Sequence, residues 1–108
     1  MVEYIQVLTT VDSKERAEEI TKRLLEERLA ACIQIIGPII SFYWWRQKIE
    51  TSQEWICLIK TESAKYKDIE KMIKELHNYE TPEIIAIPIT TGYSRYLEWI
   101  SSEVAERY

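Results

Sequence analysis

Residues 30–61 read AACIQIIGPIISFYWWRQKIETSQEWICLIKT. Two runs rich in β-branched and aromatic residues flank a polar centre, the pattern of two strands joined by a turn. The first run covers Ala30–Ile36, is interrupted by Gly37-Pro38, and resumes over Ile39–Trp45. Proline cannot donate to a sheet ladder, so this strand is expected to be bent or bulged rather than flat. Arg46–Gln53 reads as the turn and Glu54–Thr61 as the returning strand, which together make a long, twisted hairpin. Its two faces are both apolar. Ile40, Phe42 and Trp44 alternate with Ile39, Tyr43 and Trp45, and Trp55, Cys57 and Ile59 alternate with Ile56 and Leu58. A sheet with one wet face should show polar side chains at alternate positions. The second face therefore needs a cover. Further copies of the same chain are its economical source, because most soluble oligomers are closed homo-oligomers.

Working outward, Val2–Thr10 reads as a first strand. Asp12 is a suitable N-cap, with Glu15 at N3 of a capping box, for a helix over Ser13–Arg28. Its inner stripe is Ala17, Ile20, Leu24 and Arg28, widened by Thr21 and Leu25. A second helix starts at Thr61 or Ser63 and runs to Leu76, with Tyr66, Ile69, Ile73 and Leu76 inward. Glu83–Thr91 is the fourth strand, and Gly92 turns into a last helix with Leu97, Ile100 and Val104 inward. The order β-α-β-β-α-β with an added C-terminal helix predicts an α+β, ferredoxin-like antiparallel sheet carrying both main helices on one face. A single domain over residues 1–108 is expected.

Composition limits the partners. A net charge of −4 and a pI of about 5.1 argue against nucleic acid and anionic membranes. No apolar run approaches the roughly 20 residues of a membrane span, and Glu3 and Gln6 interrupt the N-terminal apolar stretch, so a cytoplasmic location is expected. Cys32 and Cys57 form no CxxC motif and read as reduced thiols. The aromatic run Phe42–Trp45, with Trp55 across the hairpin, reads as packing, because the third strand lacks the basic, glycine-containing consensus of RNA-recognition modules. The stretch Thr9-Thr10-Val11-Asp12 after the first strand holds neither metallochaperone thiols nor a phosphate-cradling arginine loop. No catalytic signature is present, so binding rather than turnover is expected.

The remaining chemistry centres on His77-Asn78-Tyr79-Glu80-Thr81-Pro82-Glu83-Ile84, which holds the only histidine. His77 and Glu80, three residues apart, could face one cleft, with Cys32 as a third, soft ligand suiting Cu(I) or another late transition metal. The competing role for His77 is to satisfy the carbonyls at the end of the second helix.

At these residues the chain resembles the CutA family of divalent-cation tolerance proteins. The resemblance rests on Glu27-Arg28-Leu29-Ala30-Ala31-Cys32-Ile33, Ser41-Phe42-Tyr43-Trp44-Trp45, Lys48-Ile49-Glu50, Ile59-Lys60-Thr61, the His77–Ile84 segment and Tyr96-Leu97-Glu98-Trp99-Ile100. It implies a ferredoxin-like homotrimer with an interface at Phe42, Tyr43, Trp44, Trp45 and Trp55. It also implies inter-subunit clefts lined by Arg28, Cys32, Lys60, His77, Tyr79, Glu80 and Trp99, and binding of divalent metal, copper above all, through His77, Glu80 and Cys32. The alternative it implies is a PII-like regulatory trimer that holds a small anionic ligand at Arg28 and Lys60, or a partner protein. The chain departs from the family's pattern at Asn78, where a proline is usual. It departs again at Thr9 and Leu76, where some members carry a cysteine and a second histidine tied to copper.

Overall fold

The computed structural model describes residues 2–105. Its elements are β1 (Tyr4–Val11), α1 (Lys14–Glu26), β2 (Cys32–Trp45), β3 (Lys48–Glu62), α2 (Tyr66–Leu76), β4 (Ile84–Ile89) and α3 (Ser94–Val104), with a single 3-10 turn over Ser63–Lys65. The strands form one antiparallel sheet in the order β2-β3-β1-β4. This is the expected α+β, ferredoxin-like arrangement with an added helix.

Strand register decides which side chains share a face, because residues paired across an antiparallel ladder point the same way. Ile5 with Thr61, Val7 with Ile59 and Thr9 with Cys57 lie on one face. There they meet Ala17, Ile20 and Leu24 of α1 and Ile69 and Ile73 of α2, all without solvent exposure. Each such aliphatic side chain contributes about 1.5–3 kcal/mol by leaving water, and both helices are held to the sheet in this way.

The ends of α1 differ from expectation. Ser13, not Asp12, is the N-cap, its Oγ accepting the Arg16 N–H at 3.1 Å. The capping box therefore does not form, because Glu15 falls one position short of N3. Asp12 instead pairs with Arg16 at 3.9 Å and accepts from Asn78 Nδ2 at 2.8 Å. At the other end, Arg28 N–H bonds Leu25 O at 3.1 Å and Leu29 N–H bonds Leu24 O at 3.0 Å, a Schellman arrangement. Arg28 occupies its left-handed position with φ 57°, so it ends the helix instead of extending the inner stripe. Leu25, expected to widen that stripe, is exposed.

β2 and β3 are joined by Arg46 and Gln47 alone, with φ of 49° and 68°. Two consecutive positive φ values match the twist that a two-residue hairpin requires. The longer turn expected over Arg46–Gln53 is thus mostly strand. The break at Gly37-Pro38, a cis peptide, is the expected bulge: Ile36 pairs with Ile56 and Ile39 with Glu54, so two residues oppose Trp55 alone. The additional residue reverses the alternation. Beyond it, Ile39, Ser41, Tyr43 and Trp45 share a face with Glu54, while Ile40, Phe42 and Trp44 share the other with Gln53, Thr51 and Ile49. The second set is left open, with Ile40, Phe42, Trp44 and Ile49 between 64% and 72% exposed. The hairpin outruns β1 and β4, and the Cα radius of gyration of 14.6 Å exceeds the roughly 13 Å of a compact chain this long.

The second sheet face is covered only in part. At one end α3 buries Ile100 and Val104, and Tyr4 Oη donates to Ser101 Oγ at 2.6 Å while Ser101 donates to Glu62. Elsewhere Ile36, Ile85 and Ile87 remain exposed. The uncovered apolar surface read from the sequence is present.

The indole of Trp55 lies on Gly37 so closely that a Cβ there would stand 2.3 Å from Cδ1. Gly37→Ala is expected to cost about 1–3 kcal/mol in denaturant unfolding. The cost should shrink in a Trp55→Val background, which would assign it to this contact.

Candidate functional site

The chain leaves α2 at His77, whose extended backbone (φ −83°, ψ 146°) stops the helix while its N–H still reaches Ile73 O at 2.8 Å. The ring is held on both sides. Nδ1 accepts the Tyr79 N–H at 3.1 Å, and Nε2 lies 2.8 Å from Thr10 O. A backbone amide can only donate and a carbonyl can only accept, so Nδ1 carries the lone pair and Nε2 the proton. No lone pair remains for a metal. Nor does His77 satisfy the end of α2, since Leu76 O accepts from Arg16 Nη1 at 2.6 Å. His77 instead ties the segment that follows it to β1, with Asn78 adding its bond to Asp12.

That segment and the hairpin enclose a cleft of about 750 Å³ lined by Thr10, Ser41, Phe42, Tyr43, Trp44, Trp45, Glu54, Asn78, Tyr79, Glu80, Thr81 and Glu83. At its base Tyr79 Oη donates to Glu54 Oε2 at 2.7 Å, and Glu54 is only 5% exposed. Burial first, then this bond and the carboxylates of Glu54 and Asp12, push the Tyr79 phenol well above its ordinary range. It stays protonated and remains a donor. At the mouth, Arg46 Nη2 lies 3.8 Å from Glu80 Oε2, and its guanidinium carbon stands 5.6 Å from the centroid of Trp45.

The other expected site residues lie elsewhere. Cys32 pairs with Lys60 on the second sheet face and lies beside Tyr96, whose phenol pKa is raised by burial and by this neighbour. Tyr96 stacks on Trp99 with centroids 5.6 Å apart. Lys60 donates to Gln34, and Arg28 pairs with Glu103 at 2.9 Å. Lys60 faces Gln6 on β1, whereas His77 bonds Thr10; four residues of strand separate them by roughly 13 Å. Within one chain, then, Arg28, Cys32, Lys60 and Trp99 gather at one end of the sheet, and His77, Tyr79 and Glu80 at the other. Trp55 is half-buried against the core, and Phe42, Tyr43, Trp44 and Trp45 all border the cleft, Phe42 and Trp44 being the more exposed pair.

Among the described residues no group of three or more His, Cys, Asp or Glu side chains is placed to hold a metal ion. The donors of one chain do not fit a soft-metal centre: the imidazole is saturated and the Cys32 thiol is distant. Burial pushes the Cys57 thiol up to about 11, against a lowering bond from Thr21, so it too stays protonated at neutral pH. Glu80 alone of the expected set keeps an exposed carboxylate. Glu54 and Arg46 were not anticipated. The only signal for Glu54 is a charge standing directly before the apolar run Trp55–Ile59.

Tyr79→Phe removes the hydroxyl donor from a buried carboxylate, and a loss of about 1–3 kcal/mol is expected in denaturant unfolding at neutral pH. Adding Glu54→Leu should recover most of it, because no charged group then remains unsatisfied.

Comparison with known proteins places this architecture. The family described as CutA1 divalent ion tolerance protein matches residues 5–103. The divalent-cation tolerance protein CutA of Archaeoglobus fulgidus is 46% identical over 98 residues, which is 91% of this chain and 95% of that one. The Thermus thermophilus protein of the same name is 43% identical over 94 residues, 87% and 91% of the two chains. Among solved structures, the A. fulgidus protein, described as a periplasmic divalent cation tolerance protein, superposes with a TM-score of 0.92 at 44% identity, covering 94% of this chain and 99% of that one. CutA1 from Oryza sativa superposes at 0.93 with 37% identity, covering 98% and 97%. On the family match over residues 5–103 and these identities, the chain belongs to the CutA1 divalent ion tolerance family.

Proposed function

We propose that this protein serves divalent-cation tolerance as a cytoplasmic homotrimer that binds divalent metal ions, copper foremost, between subunits and without turnover. The observation that carries the assembly is the open face of the hairpin, where Ile40, Phe42, Trp44 and Ile49 stand in water on the same side of two paired strands. An exposed apolar patch of this kind marks a contact surface. Ile36, Ile85 and Ile87 leave a second unpartnered apolar patch on the opposite face of the sheet.

The metal reading rests on the family and on donor chemistry. Glu80 offers the open carboxylate, and a neighbouring subunit would bring the remaining donors. Divalent copper heads the affinity series at nitrogen and oxygen sites, so it would be favoured over zinc at such a place. Cys32 and Cys57 are both free thiols. They lie on opposite faces of the sheet, since Cys32 pairs with Lys60 and Cys57 with Thr9. A small anionic ligand is disfavoured: Lys60 and Arg28 are engaged with Gln34 and Glu103, and the cleft presents Glu54, Glu80 and Glu83.

Two measurements test this reading. Sedimentation equilibrium should give a trimer for the wild type and smaller species for Trp44→Asp with unchanged far-UV circular dichroism; a wild-type monomer would sink the assembly. In calorimetric titration with copper and zinc, Glu80→Gln should weaken copper binding at least about tenfold, the loss of one charged ligand, while His77→Ala binds as wild type. Equal binding by Glu80→Gln and wild type would remove the site.

A further inference from the structure

We propose that the cleft between the β2–β3 hairpin and residues 78–83 is a binding site for a small organic cation bearing a guanidinium or ammonium group. Three observations converge on this chemistry. Glu54 is 5% exposed, yet among the described residues its carboxylate meets one donor, the neutral Tyr79 hydroxyl, and no ion-pair partner. Withdrawing a carboxylate from water is costly unless a cation accompanies it. The wall beside it is made by Tyr79 and Tyr43, and Trp45 continues the wall further along β2 toward the mouth; aromatic π faces attract a cation and offer little to an anion. Third, the protein already places a cation at the mouth. The Arg46 guanidinium stands 5.6 Å from the Trp45 centroid and 3.8 Å from Glu80, with its side chain 79% exposed. An aromatic face plus a carboxylate thus selects a guanidinium from within the chain, and so exposed a side chain is free to be displaced.

The volume of about 750 Å³ suits a small organic molecule. A hydrated metal ion would leave the aromatic walls unused, so this site is argued independently of the metal reading. Ser41, Tyr43 and Trp45 lie on the opposite face of the hairpin from Phe42 and Trp44, which border the same cleft from its rim.

The test is calorimetric titration of the protein, as it assembles, with N-butylguanidinium chloride and with 1,4-diaminobutane. Chelator is present to exclude metal, and sodium chloride at equal ionic strength is the blank. Saturable binding of one molecule per chain is expected. Arg46→Gln should tighten it several-fold by removing the internal competitor. Glu54→Gln, which still accepts from Tyr79, should weaken it by about tenfold or more. If Glu54→Gln does not fold, Glu80→Gln serves in its place, and there a smaller weakening is expected. Absence of saturable heat from both probes would overturn the proposal, as would unchanged affinity in the carboxylate variants or weaker binding by Arg46→Gln. An acetylated glycyl-arginyl-glycine amide binding more tightly than butylguanidinium would overturn the small-molecule assignment in favour of a polypeptide side chain. Metal binding can fail while these amines bind, and the reverse, so the two readings are separable.

Discussion

The packing of Trp55 against Gly37 governs much of this molecule. With two residues of β2 set against one of β3, the hairpin changes its alternation midway. Below the bulge, β2 sends Ile33 and Ile35 to the helices; above it, the even positions Ile40, Phe42 and Trp44 continue that side of the sheet, beyond the reach of α1 and α2. Without the bulge, Tyr43 and Trp45 would point away from Glu54, and there would be no aromatic wall opposite residues 78–83. One additional residue thus sets Ile40, Phe42 and Trp44 on one face of the hairpin and Tyr43, Trp45 and Glu54 on the other.

His77 is the second fixed point, and its role is architectural. Its two nitrogens are satisfied by groups of fixed polarity, the Tyr79 amide and the Thr10 carbonyl. This anchors Tyr79 against the end of β1 and brings its hydroxyl to Glu54. The histidine thereby positions the cleft wall rather than reaching into the cleft. Asn78 ties the same turn through Asp12.

Much of the fold was legible because it depends on periodicity and punctuation. Gly37-Pro38 announced the bulge, and Ile20, Leu24, Ile69 and Ile73 announced the buried helix stripes. Doubly apolar strands announced an uncovered face. The errors fell where a local residue was used against type. Arg46-Gln47 makes a tight hairpin turn without asparagine or glycine, so a longer loop was expected. Ser13 competed with its neighbour Asp12 for the cap, and only the direction of the entering chain decides between them. The site was less legible than the fold. Spacing pointed to convergence of His77, Glu80 and Cys32, but strand register carries Cys32 to the far end of the sheet. The Glu54–Tyr79 pair spans 25 residues and has no sequence pattern at all.

The cap of α1 has one more implication, for the order in which the chain can form. A left-handed stop is usually held by glycine, which needs no help from elsewhere. Here it is held by Arg28, and the guanidinium that offsets the backbone cost reaches Glu103, 75 residues downstream on α3. During synthesis α1 emerges long before α3 exists, so until the last element arrives its C-terminus lacks the Glu103 contact. Completion of the first helix is therefore a long-range event, and such contacts form slowly because a large loop must first close. The most local of structures in this protein is finished by its most distant partner.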